Sequence, residues 1–253
     1  MHTIFSIAKN TFRQTIRDRI LYGILIFALL FIGSSIVLGS LGLEENLFII
    51  RTFGLAGIYL FGLIITIFLG ASIVYEEVEK RTTYVLLSKP VTKADIIVGK
   101  FFGLFMGICT TTLLMTVAYI LIVYLSNASF DYMSLLTVGL QLLEMAVLIS
   151  ILILFSIFTT PLASIIYTIL LVYIGHSLSA INTYTDSIGG LGKIVLNLAY
   201  YLLPNLEKFN IRDAIVHNVG ISVSSTLVSI GYALIYIVLT LFLAKLAFDK
   251  KDL

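Results

Sequence analysis

Long apolar runs with almost no charge fill the chain, and short charged clusters punctuate them. A helix needs about 20 apolar residues to cross a hydrocarbon layer of roughly 30 Å. Charge-free windows of that length occupy residues 20–43, 52–75, 101–130 and 214–244. The window 132–185 is too long for one crossing and contains a single charge, Glu144. Pro161, in Phe158-Thr159-Thr160-Pro161, divides it, because proline disfavours helix in the residue before it. The pattern therefore predicts an all-α polytopic membrane protein with six spans, at 20–42, 52–75, 98–125, 134–158, 161–181 and 219–244. The apolar stretch 194–206 is too short to cross.

Composition strengthens this reading. Hydrophobic residues make up 59% and charged residues 12% of the 253 positions, about half the charged share of soluble domains. A water-soluble domain of this size would have to expose the surplus apolar surface as a sticky patch. The single cysteine, Cys109, excludes an intrachain disulfide. His2, His176 and His217 lie far apart without metal-ligand spacing, so no metal site is expected. A net charge of +2 on so apolar a chain argues against nucleic-acid binding.

Charge placement orients the spans. Lys9, Arg13, Arg17 and Arg19 precede the first, and Lys80, Arg81, Lys89, Lys93 and Lys100 lie around the connection between the second and third. Lys245, Lys250 and Lys251 follow the sixth, so twelve of sixteen basic residues share one side. The other side has Arg51, Lys193, Lys208 and Arg212. The positive-inside rule then predicts cytoplasmic termini. The N-terminal apolar run exceeds a signal peptide's h-region and no small-residue cleavage site follows, so it is read as retained.

Three segments outside the spans carry pattern. In residues 3–19, Ile4, Ala8, Phe12 and Ile16 recur every four positions beside a row of Lys9, Arg13 and Arg17. This predicts an amphipathic helix lying in the membrane interface, with Phe12 on its apolar side and Arg13, Arg17 and Arg19 toward headgroups. The cytoplasmic loop 76–97 sets an apolar knot, Tyr84-Val85-Leu86-Leu87, between charged clusters, with a turn at Pro90. Thr92 and Asp95 have capping-box spacing for the next helix. The loop reads equally well as a docking surface for a cytosolic partner and as a solvated connection resting on the membrane. The outer segment 182–217, broken at Pro204, fits a re-entrant or interfacial hairpin. Residues 245–253 are expected as a cytoplasmic tail.

Glu144 stands alone among the charges of the spans. Thr137, Gln141 and Glu144 share one helix face, which is expected to point into the bundle or a subunit interface. A substrate-path or proton role for Gln141 and Glu144 competes with an interhelical hydrogen bond, and the second is favoured because no further acids or histidines suggest a relay. Ser222, Ser225, Ser229, Tyr232 and Tyr236 stripe the sixth span, threonines 110, 111, 112 and 116 mark the third, and glycines 54, 57, 62 and 70 mark the second. Close packing is the expected use of all three. Catalytic motifs are missing, and Ser187-Ile188-Gly189-Gly190-Leu191-Gly192-Lys193-Ile194 lacks the first glycine and the final Ser/Thr of a phosphate-binding loop.

The order of these parts resembles a known family. Thr11-Phe12-Arg13-x-x-x-Arg17-Asp18-Arg19 leads into the first span, and Glu76-x-x-Glu79-Lys80-Arg81-Thr82 runs through Leu86-Leu87-Ser88-Lys89-Pro90-Val91-Thr92-Lys93 to Gly99-Lys100. Together with six spans and a long outer segment, this is similar to ABC-2 type ABC transporter permease subunits. Leu203-Pro204-Asn205-Leu206-x-x-Phe209-Asn210-x-Arg212 is similar to the branch of nitrous-oxide-reductase (copper-enzyme) maturation permeases. The resemblance implies an ABC-2, type V exporter-like permease fold with an N-terminal elbow helix. It also implies two permease subunits, a homodimer, working with two separate ATPase subunits that hold the ATP and magnesium. The stretch after the second span becomes a coupling helix, with Glu76, Glu77, Glu79, Arg81, Tyr84, Leu86, Leu87 and Pro90 meeting the ATPase. The chain itself is then not an enzyme, needs no cofactor of its own, and resides in the plasma (cytoplasmic) membrane of a prokaryote, with an accessory protein on its outer face. Two rivals remain at this point: an ATPase-independent transporter or channel using Glu144, and a non-transporting scaffold that anchors a cytosolic protein.

Overall fold

A computed structural model of the chain describes residues 2–41, 46–79, 92–126, 132–184, 202–212 and 222–250, with 194, 198, 200, 214 and 220. Seven long helices are present among them: α1 (His2–Arg17), α2 (Arg19–Leu41), α3 (Asn46–Glu79), α4 (Lys93–Leu125), α5 (Tyr132–Phe158), α6 (Pro161–Tyr184) and α7 (Val223–Lys250). A short 3-10 turn, Leu206–Phe209, lies between α6 and α7. Six of the helices, α2 to α7, are long and apolar enough to cross a membrane.

The helix ends follow local chemistry. At Asp18 the chain turns, and its Oδ1 accepts the Ile20 N–H at 2.8 Å, which satisfies a free donor in the first turn of α2. Thr92 and Asp95 form the expected reciprocal capping box at the start of α4. Pro161 opens α6, where its missing N–H costs no hydrogen bond. α3 is longer than the apolar window alone implies. It begins at Asn46 and continues through Glu76, Glu77 and Glu79, which therefore belong to the end of a helix rather than to a loop.

α5 is the central helix: 72% of its most apolar window is buried, against 22% for α2. Its neighbour α3 approaches at glycines. A Cβ on Gly62 would collide with Met145 Cε, and one on Gly70 would lie 2.9 Å from Leu152 Cδ1. Gly54 likewise receives the ring of Tyr119 from α4. Small residues are what allow such contact in lipid, where apolar side chains gain nothing from leaving solvent. The α4 threonines spend their hydroxyls on their own helix, with Thr110 donating to Met106 O, Thr111 to Ile108 O and Thr116 to Thr112 O. Packing thus accounts for the glycine stripe and much of the threonine stripe.

α1 is the amphipathic helix expected, and the structure adds which neighbour its inner side meets. Its most buried positions are Ala8, Thr11 and Thr15, while Phe12 and Ile16 are half-buried. The helix packs along α4, where Gly99 takes Ile7, Gly103 takes Thr11 and Gly107 takes Thr15. Three glycines spaced by four make a groove shallow enough for threonine methyls, so the protein-facing side of α1 is small and partly polar. Lys9, Arg13, Arg17 and Arg19 are exposed.

Candidate functional site: a buried acid–histidine cluster

Glu144 lies midway along α5 with 1% of its surface exposed. An unpaired carboxylate there would cost several kcal/mol, so its surroundings decide whether the fold tolerates it. They are polar. The Tyr59 hydroxyl, from α3, donates to Glu144 Oε1 at 2.8 Å. His176, from α6, brings Nε2 to 2.9 Å from the same oxygen and 2.7 Å from Tyr59 Oη. Its other ring nitrogen, Nδ1, lies 2.9 Å from Oε2 of Glu207 in the 3-10 turn.

The chain of contacts continues outward. Glu207 Oε1 accepts from Asn210 Nδ2 at 3.0 Å, and Asn210 Oδ1 accepts from Arg212 Nε at 3.2 Å. The Arg212 guanidinium then returns over the Tyr59 ring, 4.2 Å from its centroid, a placement favoured by the ring quadrupole. Two carboxylates, one imidazole, one phenol and one guanidinium from α3, α5, α6 and segment 202–212 thus form a closed polar cluster. The expected interhelical hydrogen bond is present, from Tyr59 and again from His176, but the acid does not stand alone as the sequence suggested. Glu144 is one member of a histidine-bridged pair of carboxylates.

Segment 202–212 reaches this position because the bundle satisfies its backbone. Irregular backbone inside a membrane bundle needs protein partners for its N–H and C=O groups. The α7 hydroxyl stripe supplies them. Tyr232 Oη accepts the Asn205 N–H at 2.9 Å, Ser229 Oγ donates to Lys208 O at 2.9 Å, and Tyr236 Oη donates to Leu202 O at 3.2 Å. Lys208 Nζ lies 4.2 Å from the Tyr232 ring centroid. Leu206 and Phe209 are fully buried in the apolar core, and Gly175 of α6 is close enough to Pro204 O that a Cβ would lie 2.8 Å from it. Hence the stripe on the sixth span docks the segment that carries Glu207 and Arg212.

The remaining sequence-derived candidates fall elsewhere. Glu76, Glu77 and Glu79 end α3, while Arg81, Tyr84, Leu86, Leu87 and Pro90 lie outside the described residues. Where the chain resumes, Lys93 Nζ donates to Phe248 O at 3.0 Å, a cation on the carbonyl-rich end of α7. Gln141 is buried like Glu144, one turn away, but neither of its amide atoms has a hydrogen-bond partner. Arg13 and Arg17 line a polar groove on α1 with Asn10, Gln14 and Asp18. Sequence reasoning missed His176, Glu207, Tyr59 and Arg212.

A family model described as ABC-2 family transporter protein matches residues 5–253. No curated protein matches the chain.

Proposed function

The chain belongs to the ABC-2 family of transporter proteins, and from that premise we propose that it is the membrane-spanning permease subunit of an ABC exporter. A multi-pass membrane subunit of this family is not itself the ATPase. In the proposed assembly two copies of the chain associate with two separate ATPase subunits, which hold the ATP and magnesium. Glu76, Glu77, Glu79, Arg81, Tyr84, Leu86, Leu87 and Pro90 form the surface that meets the ATPase. The twelve basic residues on one side support cytoplasmic termini in a prokaryotic plasma membrane. The Leu203–Arg212 pattern supports a place in the copper-enzyme maturation branch, and an outer-face accessory protein belongs to the same reading.

The observation that carries the proposal is the rigid frame around the charged connection. α3 runs unbroken into its acidic end at Glu79, and α4 restarts from a capped Thr92. α4 is in turn gripped by α1 at three glycines and tied to α7 through Lys93. A push on the connection therefore reaches three helices through packed contacts. The test is purification of the tagged full-length chain from its native host in mild detergent, with co-purifying chains identified by mass spectrometry. A stoichiometric partner with an intact Walker A motif is the expected result. Recovery of the chain alone, under conditions that preserve a control ABC complex, would overturn the proposal.

The acid–histidine cluster favours one second reading, transport without an ATPase through Glu144. That reading requires flux in liposomes containing only this chain, and its loss in Glu144→Gln.

A further inference from the structure

We propose that the buried Glu144, with His176 and the part-exposed Glu207, forms a proton-binding site, and that the bound proton holds segment 202–212 against the bundle. The argument is a count of donors and acceptors. Tyr59 donates its hydroxyl to Glu144 Oε1, and its oxygen also lies 2.7 Å from His176 Nε2. His176 Nε2 faces Glu144 Oε1 at 2.9 Å, and that contact holds only with a hydrogen between the two atoms. His176 Nδ1 faces Glu207 Oε2 at 2.9 Å. That contact holds only with a hydrogen between the two atoms, on the imidazole or on the carboxyl. A neutral imidazole with two carboxylates is therefore one proton short.

Charge gives the same count. With the extra proton, two carboxylates balance one imidazolium and Arg212, and the cluster is neutral. Without it, one net negative charge is left in a cluster that reaches solvent only at its Glu207 end, and a nitrogen lone pair faces a carboxylate oxygen. The groups around His176 are Tyr59 from α3, Glu144 from α5, and Glu207 and Arg212 from the segment, while Lys208 is turned toward Tyr232 of α7. The proton is given up at the contact with Glu207, because Glu207 is 37% exposed and water can replace that contact, whereas Glu144 is 1% exposed. Among the described residues this contact is the hydrogen bond from His176 to segment 202–212, so its loss loosens the segment. The assignment stands on this geometry and holds with or without an ATPase partner.

The test reads exposure of the segment across pH 5–9. In the full-length protein, with Cys109→Ser as background, Asn205→Cys places a thiol at a position that is 6% exposed. Its labelling by a water-soluble maleimide is divided by that of Ser222→Cys, an exposed position just before α7, which cancels the pH dependence of thiol chemistry. The expected ratio rises by about tenfold through a single transition as pH increases, the effect of losing one charge-assisted contact. Glu207→Gln needs no extra proton, because its amide N–H donates to the bare Nδ1 of a neutral imidazole, so its ratio stays low and flat. A flat ratio without the Glu207→Gln change, or an unchanged transition in His176→Gln, would overturn the proposal.

Discussion

His176 Nε2 lies 2.9 Å from Glu144 Oε1, joining α6 to the central helix across 32 positions of sequence. The contact pairs the most deeply buried acid of the described residues with a ring whose other face reaches segment 202–212. Removing either partner leaves the other with fewer partners, Glu144 with Tyr59 and His176 with Tyr59 and Glu207, so the cost falls below the roughly 3–5 kcal/mol of a fully stranded buried charge. Glu144→Ala and His176→Ala are each expected to lower the thermal midpoint in detergent substantially. The double variant is expected to lose much less than the sum, since the stranded group is gone. Additive losses in that cycle would show that the two residues act separately.

Tyr232→Phe deletes the oxygen that accepts the Asn205 N–H. A buried donor left unmade costs about 1–3 kcal/mol, and the loss falls on segment 202–212 rather than on the six spans. Limited proteolysis is expected to cut this segment faster in Tyr232→Phe, with unchanged helical content by circular dichroism. Uniform destabilisation of the whole chain would contradict the local role.

Much of this fold is legible in the sequence, and the reason is simple. Twenty apolar residues in a row have one stable use, Pro161 has one stable place in a helix, and Thr92 with Asp95 announces a helix start. The cluster was not legible because its members are separated by long intervals, Tyr59 to Glu144 to His176 to Glu207. A histidine also does not break a charge count, so His176 passed as a polar residue in an apolar span. The available signal was that three helices each interrupt an apolar run with a residue able to share a proton. The Gly99, Gly103 and Gly107 spacing was equally visible. It accounts for the close approach of Thr11 and Thr15, which a glycine groove accepts more closely than it accepts larger side chains.

Gly103→Leu tests that groove. Even a Cβ at this position would lie 2.6 Å from the Ala8 carbonyl oxygen, which is backbone and cannot swing aside. Overpacking of this kind costs about 1–3 kcal/mol, and α1 is the smaller element. The expected outcome is release of α1, seen as faster tryptic cleavage at its exposed Lys9, Arg13 and Arg17. Gly139→Leu, where a Cβ meets nothing within 4 Å, serves as the tolerated control in the same assay.

Thr92→Ala removes the side chain that caps α4, at a cost of about 0.5–2 kcal/mol. Because the cap sits where the charged connection joins the bundle, the proposed coupling predicts a larger loss of transport than of stability. Asp95→Asn retains an acceptor at the same place and is expected to be milder.

The central claim is that force enters through the charged connection after α3, and charge reversal at Glu79 tests it most directly. The measurement is ATPase stimulation of the co-purified partner by the reconstituted chain, with and without Glu79→Lys, at equal membrane insertion. The account predicts robust stimulation that collapses in Glu79→Lys, together with weakened association of the ATPase subunit. Normal association and normal stimulation in that variant would contradict it.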